Sequence, residues 1–177
     1  MPGQALVLVD GIPDSPLSGY FQVKRALIAF NTFVDCREYL EIGNGKGSSG
    51  RALPPSDVTF ANNLALGTGE SPIVKVSDQP INATWEGNLF GPGGPGIDVS
   101  GIVRATVQFE KSEGLLRPRV GSAGIDAAVG QYGDIETDID GQERKGALDV
   151  GCDEMSDGPK GFRPLHRADV GPSWYND

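Results

Sequence analysis

The sequence predicts an all-β protein, a partial parallel β-helix (solenoid) in which short strands stack coil upon coil. The 177 residues include 26 glycines and 13 prolines, and both residue types interrupt helices. No stretch shows a sustained 3.6-residue hydrophobic period, which would indicate an amphipathic helix. The third observation is a degenerate repeat, and its spacing determines which β fold is expected.

The repeat consists of two aligned series of short segments. The first series centres on Asn31, Asn63 and Asn88, in IAFNTF (28–33), FANNLA (60–65) and WEGNLF (85–90). The second series ends 11, 13 and 11 residues after these asparagines, in LEI (40–42), VKV (74–76) and IDV (97–99). This pattern indicates two strands per coil, joined by surface loops of variable length, the longest at residues 44–56.

The aligned asparagines have a structural interpretation. In a stack of parallel coils, we expect Asn31, Asn63 and Asn88 to form a hydrogen-bonded ladder along one corner. The alternative is an ordinary antiparallel sandwich with chance asparagines near its turns.

The two ends of the chain differ in how regularly apolar and polar residues alternate, and this difference predicts strands near the N-terminus and an irregular tail near the C-terminus. Residues 5–9 and 22–30 predict two strands of the first coil. Beyond residue 102 the repeat fades into a sequence rich in glycine and aspartate. We therefore expect one domain, with β-helix coils at residues 1–120 and an acidic, irregular capping tail at residues 121–177 that covers the end of the stack.

Charge and hydropathy exclude several classes of protein. The formal net charge is −9, so we expect no nucleic-acid partner and no attraction to an anionic membrane. The apolar runs are far too short to span a bilayer, and no signal peptide precedes Gly11. Cys36 and Cys152 fit no zinc motif, and two inert thiols are favoured over one long-range disulfide.

Three short motifs resemble functional sites without meeting their requirements. The GPGGPG stretch (91–96) has the GxGxxG spacing, yet its prolines lack backbone donors for a pyrophosphate. The acidic run at 136–141 resembles the start of a calcium loop, but Ala147 stands where the bidentate glutamate is required, so solvated turn carboxylates are favoured over a cation site. His166, the single histidine, is interpreted as a surface residue. These motifs assign no catalytic residue and no metal ligand.

Tyr20, Lys24 and Arg25 are the candidates for substrate binding. An aromatic ring next to a cation is a combination that binds sugars. Lys24 and Arg25 are neighbours in the predicted strand at 22–30, so we expect their side chains on opposite faces and at most one of them in a groove. Packing by the ring and solubility from the charges are the alternative interpretation.

Several stretches, taken together, point to one family. The most specific is DGIPDSPLSGYFQVK (10–24), which runs into ALIAFNTF (26–33). Others are LPPSD (53–57), ANNL (61–64), GSAGID (121–126), DIDGQER (138–144), DVGCDE (149–154), RPL (163–165) and ADVGPSW (168–174). Together they resemble the chondroitinase-B-like lyases, polysaccharide lyase family six, which includes many alginate lyases. The closing stretches recur in many β-helix proteins and specify the fold better than the activity.

The resemblance implies a right-handed parallel β-helix and β-elimination on uronate polysaccharides. Family members use a lysine base, an arginine, and a calcium ion held by asparagine and glutamates. Those residues lie on coils before the segment that matches residues 10–24, so no catalytic residue and no metal ligand is carried over. Calcium is expected for the full family enzyme and no cofactor for this chain.

The resemblance also implies partners and a location. The expected partners are an anionic uronate polysaccharide and upstream β-helix coils, in a secreted or periplasmic setting. Two functions stay open: the C-terminal portion of a uronate-polysaccharide lyase of the alginate branch, or a non-catalytic β-helix module that binds glycan or caps a larger protein. In both cases we expect the strand at residues 5–9 to expose an open sheet edge, and the isolated chain to be inactive and poorly soluble.

Overall fold

The computed structural model describes residues 4–17, 19–36, 38–67, 71–166 and 169–171. In chain order the strands are β1 (Gln4–Val9), β2 (Leu27–Ala29), β3 (Thr32–Val34), β4 (Glu38–Asn44), β5 (Thr59–Ala61), β6 (Leu64–Leu66), β7 (Val74–Val76), β8 (Thr84–Glu86), β9 (Asn88–Phe90), β10 (Ile102–Arg104), β11 (Phe109–Ser112) and β12 (Leu115–Pro118). One 3-10 turn lies at Ser48–Gly50. Over the described ranges, no helix has the length and apolar character needed to cross a membrane.

The first ten strands form three parallel sheets, one on each side of a stack of coils. Sheet one has the order β1-β4-β7, sheet two β2-β5-β8, and sheet three β10-β9-β6-β3. Each strand pairs in parallel with the strand one coil further along the chain. The predicted parallel β-helix is thereby confirmed.

The sequence repeat coincides with the observed pairing. In sheet two, Ile28 lies opposite Phe60, and Phe60 lies opposite Trp85. In sheet one, Leu40 lies opposite Val74. Residues that align in the sequence therefore occupy equivalent positions in successive coils.

The third member of the second series departs from the prediction, because residues 97–99 form no strand. The carbonyls of Gly94 and Pro95 instead accept hydrogen bonds from the backbone N–H groups of Ile73 and Val74, at 2.9 Å each. Among the described backbone hydrogen bonds, none returns from residues 97–99 to β7, so the two bonds do not continue into a ladder.

The core lies between the three sheets. Side chains on alternate positions of the strands, among them Ile42, Phe60 and Val74, are almost fully buried there. The rings of Phe60 and Trp85 stack across two coils with centroids 4.1 Å apart and an interplanar angle of 16°. Each fully buried apolar side chain of this size contributes about 1.5–3 kcal/mol to folding.

The corner before sheet two turns through residues in the left-handed region. Arg25, Asp57 and Asn82 occupy equivalent positions on three coils, with φ of 53°, 53° and 52°. The expected strand over 22–30 is therefore wrong, since only Leu27–Ala29 is a strand. A left-handed residue bends the chain sharply, so the simple alternation assumed for Lys24 and Arg25 does not hold across it.

The chain after β10 runs along the side of the stack. Strands β11 and β12 form an antiparallel hairpin, so residues 109–118 contain no coil although they fall inside the expected coil region. The following segment is irregular and contacts three successive coils. Its hydrogen bonds join Val129 to Asn62, Cys152 to Thr32 and Tyr132 to Glu86.

Apolar packing explains this lateral position. Leu64 and Leu89 project from the outer face of sheet three and pack against Val107 and Val150 of the later segment. Sheet three is thus apolar on both faces, and the outer face needs a cover. The described part of the tail at residues 121–177, which was expected to cap the end of the stack, thus packs against the outer face of sheet three.

Candidate functional site

The loops that join sheet one to sheet two form one surface, which we call the loop face. It comprises residues 10–17, 19–26, 45–58 and 77–83. Stacking of the coils brings loop residues together that are 25 to 42 residues apart in sequence. The three predicted substrate-binding residues, Tyr20, Lys24 and Arg25, all lie on this surface.

Tyr20 meets an arginine that the sequence analysis missed. The guanidinium carbon of Arg51 lies 3.9 Å from the centroid of the Tyr20 ring, and the ring is 46% exposed. Gly45 also lies against the Arg51 side chain, where an added Cβ would collide with the guanidinium. The sequence holds no signal for this pair, because Tyr20 and Arg51 belong to loops of different coils.

Lys24 and Arg25 are both exposed on the same surface. Lys24 forms a parallel backbone bridge with Ser56 of the next coil. Within the described parts of the chain, neither side chain makes an ion pair or a hydrogen bond, and the same holds for Arg51. The loop face therefore presents three cations without a paired carboxylate, in a chain whose net charge is −9.

A buried carboxylate lies beneath this surface. Asp10 is 0% exposed, and neither of its oxygens receives a hydrogen bond from the described residues. Burial raises the pKa of Asp10, and the neighbouring charge of Asp78 raises it further, against the opposing influence of Lys46 and Arg51. Lys46 is paired with Asp78 at 2.7 Å, and this hydrogen bond lowers the pKa of Asp78.

Sheet one carries a second polar network on its outer face. Glu41 accepts hydrogen bonds from Ser77 at 2.9 Å and from Gln4 at 3.2 Å, and it pairs with Lys75 at 2.9 Å. Burial alone would raise the pKa of Glu41, but the hydrogen bonds from Lys75, Ser77 and Asn44 outweigh it and lower the pKa. This face is held by internal pairs, whereas Lys24, Arg25 and Arg51 of the loop face have no ion pair within the described part of the chain.

The three asparagines of the repeat stand in one row at the corner between sheets two and three. Asn31 Nδ2 donates to Asn63 Oδ1, and Asn63 Nδ2 donates to Asn88 Oδ1, at 2.9 Å each. Asn63 and Asn88 also donate to the carbonyls of Ile28 and Phe60, at 2.8 Å each. These side chains link neighbouring coils, and their position inside the corner gives them a structural role.

The acidic run near residue 138 folds into a cluster that already holds a cation. Asp138, Asp140 and Asp153 offer ligand atoms within 4.8 Å of one another. Arg117 lies among them, with Nη1 2.8 Å from Asp140 and 2.5 Å from Asp153. Both oxygens of Asp138 accept backbone N–H groups. This donor set does not fit calcium, because the guanidinium and the backbone donors occupy the lone pairs that the ion requires.

The remaining polar candidates have ordinary environments. Cys36 and Cys152 are free thiols, and burial raises the pKa of both, which disfavours the reactive thiolate. His166 is exposed, and its backbone N–H donates to Asp169 at 2.6 Å. Neither thiol nor the imidazole lies on the loop face.

Comparison with known proteins gives a consistent result. A model of the chondroitinase B family matches residues 3–90. Two solved structures are similar to this chain: the PL6 family alginate lyase AlyGC, at 25% identity and a TM-score of 0.58, and an arginine-to-alanine mutant of AlyGC, at 25% identity and 0.57. Each alignment covers 64% of this chain and 15% of the lyase chain. A search of curated proteins gives no match.

The matched region contains the most specific stretch of the sequence, the loop face and the three coils. The chain spans about 15% of the length of the solved lyases that it matches. The resemblance of this chain to the chondroitinase-B-like lyases of polysaccharide lyase family six is confirmed.

Proposed function

We propose that this chain is the C-terminal portion of the catalytic β-helix of a uronate-polysaccharide lyase that cleaves alginate by β-elimination. The observation that carries the proposal is the family match over residues 3–90, which form coils whose loop face carries Lys24, Arg25 and Arg51 without an ion pair among the described residues. Alginate is favoured as the substrate because the similar solved structures are alginate lyases. A secreted or periplasmic setting fits a polymer of this kind.

The chemistry of β-elimination explains why further coils are needed. The reaction requires a base that removes the proton next to the uronate carboxylate, and a positive group that neutralises this carboxylate. No residue of this chain matches the family's base, and the acidic cluster around Arg117 does not fit its calcium ion. In our proposal, upstream coils supply both groups, and this chain extends the surface that binds the polymer.

Strand β1 provides the place where such coils would dock. It lies at the edge of sheet one and pairs only with β4 among the described strands. Gln4 and Ala5 are exposed at its start, and Asn31, the first residue of the ladder, is only half-buried. An upstream coil would pair with β1 and extend the ladder by one step.

The experiment is a complementation assay. The purified chain, with calcium and alginate or chondroitin, should form no unsaturated uronate chromophore. The same chain supplied with the coils encoded upstream, in cis or in trans, should form it from alginate. Metal-dependent turnover by the chain alone would contradict the proposal, and so would an inactive complex with properly folded upstream coils.

A second function is favoured by one observation, the 15% coverage of the solved lyases. A segment of this size without an assignable base is also compatible with a non-catalytic β-helix module that binds glycan or caps a larger protein. An upstream reading frame without β-helix coils, together with glycan binding by the chain, would favour this module over the lyase.

A further inference from the structure

We propose that Arg51, held in place by Tyr20, binds the carboxylate of a uronate unit on the loop face. This inference rests on the proposed function, since it names the group that recognises the same class of polymer. It assigns a role to an arginine outside the sequence candidates.

The guanidinium of Arg51 is held by two neighbours. Its central carbon lies over the Tyr20 ring, 3.9 Å from the centroid, and its Nη1 atom lies so close to Gly45 that a Cβ there would be 2.0 Å from it. Contact with an aromatic face favours a cation without using its N–H donors. Gly45 has φ +88°, and its missing side chain leaves the space that the guanidinium fills. The cation is therefore oriented before any ligand arrives.

The charge of Arg51 is available to a ligand. No described carboxylate pairs with it within ion-pair distance, and no described acceptor receives its side-chain N–H groups. Asp78, the nearby acidic group at the surface, is already paired with Lys46 at 2.7 Å. Asp10 interacts with Arg51 through its charge, but it is fully buried and its oxygens receive no hydrogen bond from the guanidinium. A carboxylate from outside is the missing partner that the planar fork of an arginine fits.

The side chain of Arg51 is not needed to hold its own loop. The backbone closes the turn, because Gly47 N donates to the Arg51 carbonyl at 2.8 Å and Arg51 N donates to the Ser48 carbonyl at 3.0 Å. Substitutions of the side chain leave these bonds in place. A loss of binding in such a variant would therefore report on the guanidinium itself.

The test measures binding of a uronate trisaccharide to the full chain by calorimetry or NMR titration. Its neutral, carboxyl-reduced counterpart is the matched probe. Arg51→Ala should weaken binding of the uronate about tenfold or more, since a charge-assisted hydrogen-bonding partner is lost. Arg51→Lys keeps the charge but loses the fork, so it should recover only part of the affinity. Binding of the neutral probe should be weak and should not change in either variant.

A pair of glycine variants tests whether uronate binding depends on the position of the Arg51 guanidinium while its charge is kept. Gly45→Ala adds a methyl group that displaces the guanidinium, whereas Gly47→Ala adds one where nothing lies within 4 Å. Both positions have positive φ, of 88° and 72°, so the backbone strain is similar. We expect Gly45→Ala to weaken uronate binding and Gly47→Ala to leave it within about twofold, because only the first moves Arg51.

The binding measurements can fail or succeed independently of the complementation assay for lyase activity. Thermal unfolding of each variant verifies that it is folded before its binding is compared. Unchanged affinity in folded Arg51→Ala, equal effects of the two glycine variants, or no binding by the unaltered chain would each overturn the inference. If complementation fails while binding depends on Arg51, the site stands and the lyase proposal falls.

Discussion

Asn63 gives the sharpest test of how the coils are held together. Its amide donates to the Ile28 carbonyl at 2.8 Å and to Asn88 Oδ1 at 2.9 Å. Its oxygen accepts from the backbone and the side chain of Asn31, at 3.1 and 2.9 Å. Asn63→Leu keeps a similar volume and removes all four bonds. At about 0.5–1.5 kcal/mol for each bond, we expect a loss of about 2–6 kcal/mol in the free energy of unfolding.

Chemical denaturation of the variant and of a control measures this loss. Gln79 is exposed and its side chain has no hydrogen bond among the described residues, so Gln79→Leu should cost less than about 0.5 kcal/mol. A double-mutant cycle with Asn31→Ala isolates the step between the two side chains, and we expect clear non-additivity. Equal losses for Asn63→Leu and Gln79→Leu, or strictly additive effects in the cycle, would show that hydrogen bonds between the asparagine side chains do not stabilise the stack of coils.

Three further changes test the contacts below the surface. Asp10→Asn should raise the denaturation midpoint at pH 7 and leave it unchanged at pH 3. The pKa of Asp10 is raised, so the folded state favours the neutral acid, and its contribution to stability is lost as pH rises above the unfolded value of 3.8. An effect equal at both pH values would contradict this. Asn62→Gly removes both bonds to Val129 and should speed hydrogen exchange at the Val129 amide, with a loss of about 1–3 kcal/mol. Arg117→Met should cost about 3–5 kcal/mol in unfolding free energy, since it removes the 2.8 Å ion pair of the buried Asp140 and leaves only Lys160, at 3.5 Å; an unchanged midpoint in denaturant would show that the pair is dispensable.

Much of the coil architecture could be predicted because a solenoid repeats its local requirements. Asn31, Asn63 and Asn88 align in the sequence, and the coils that contain them place their side chains in one row. The prediction for residues 97–99 was wrong because apolar alternation says nothing about which N–H groups are available nearby. The chain pairs with β7 through the carbonyls of Gly94 and Pro95 instead, two residues before the predicted strand begins.

The candidate site was predicted only in part. Tyr20, Lys24 and Arg25 could be chosen as an aromatic ring next to cations, and all three lie on the loop face. Arg51 could not be chosen, because its partner Tyr20 is 31 residues away and the intervening loop gives no periodic signal. The contact between them depends on how two loops of different length lie side by side once the coils have stacked.

By itself the sequence determined the fold class, the units of the repeat and the family resemblance, because spacing and apolar alternation are local properties that survive loops of variable length. Only the tertiary structure decided which groups meet across coils. It left Arg51 without an ion-paired carboxylate among the described residues, placed Arg117 among three aspartates, and laid the later segment along sheet three. These outcomes depend on distances between residues far apart in the chain, and they follow from burial and charge pairing after the stack has formed.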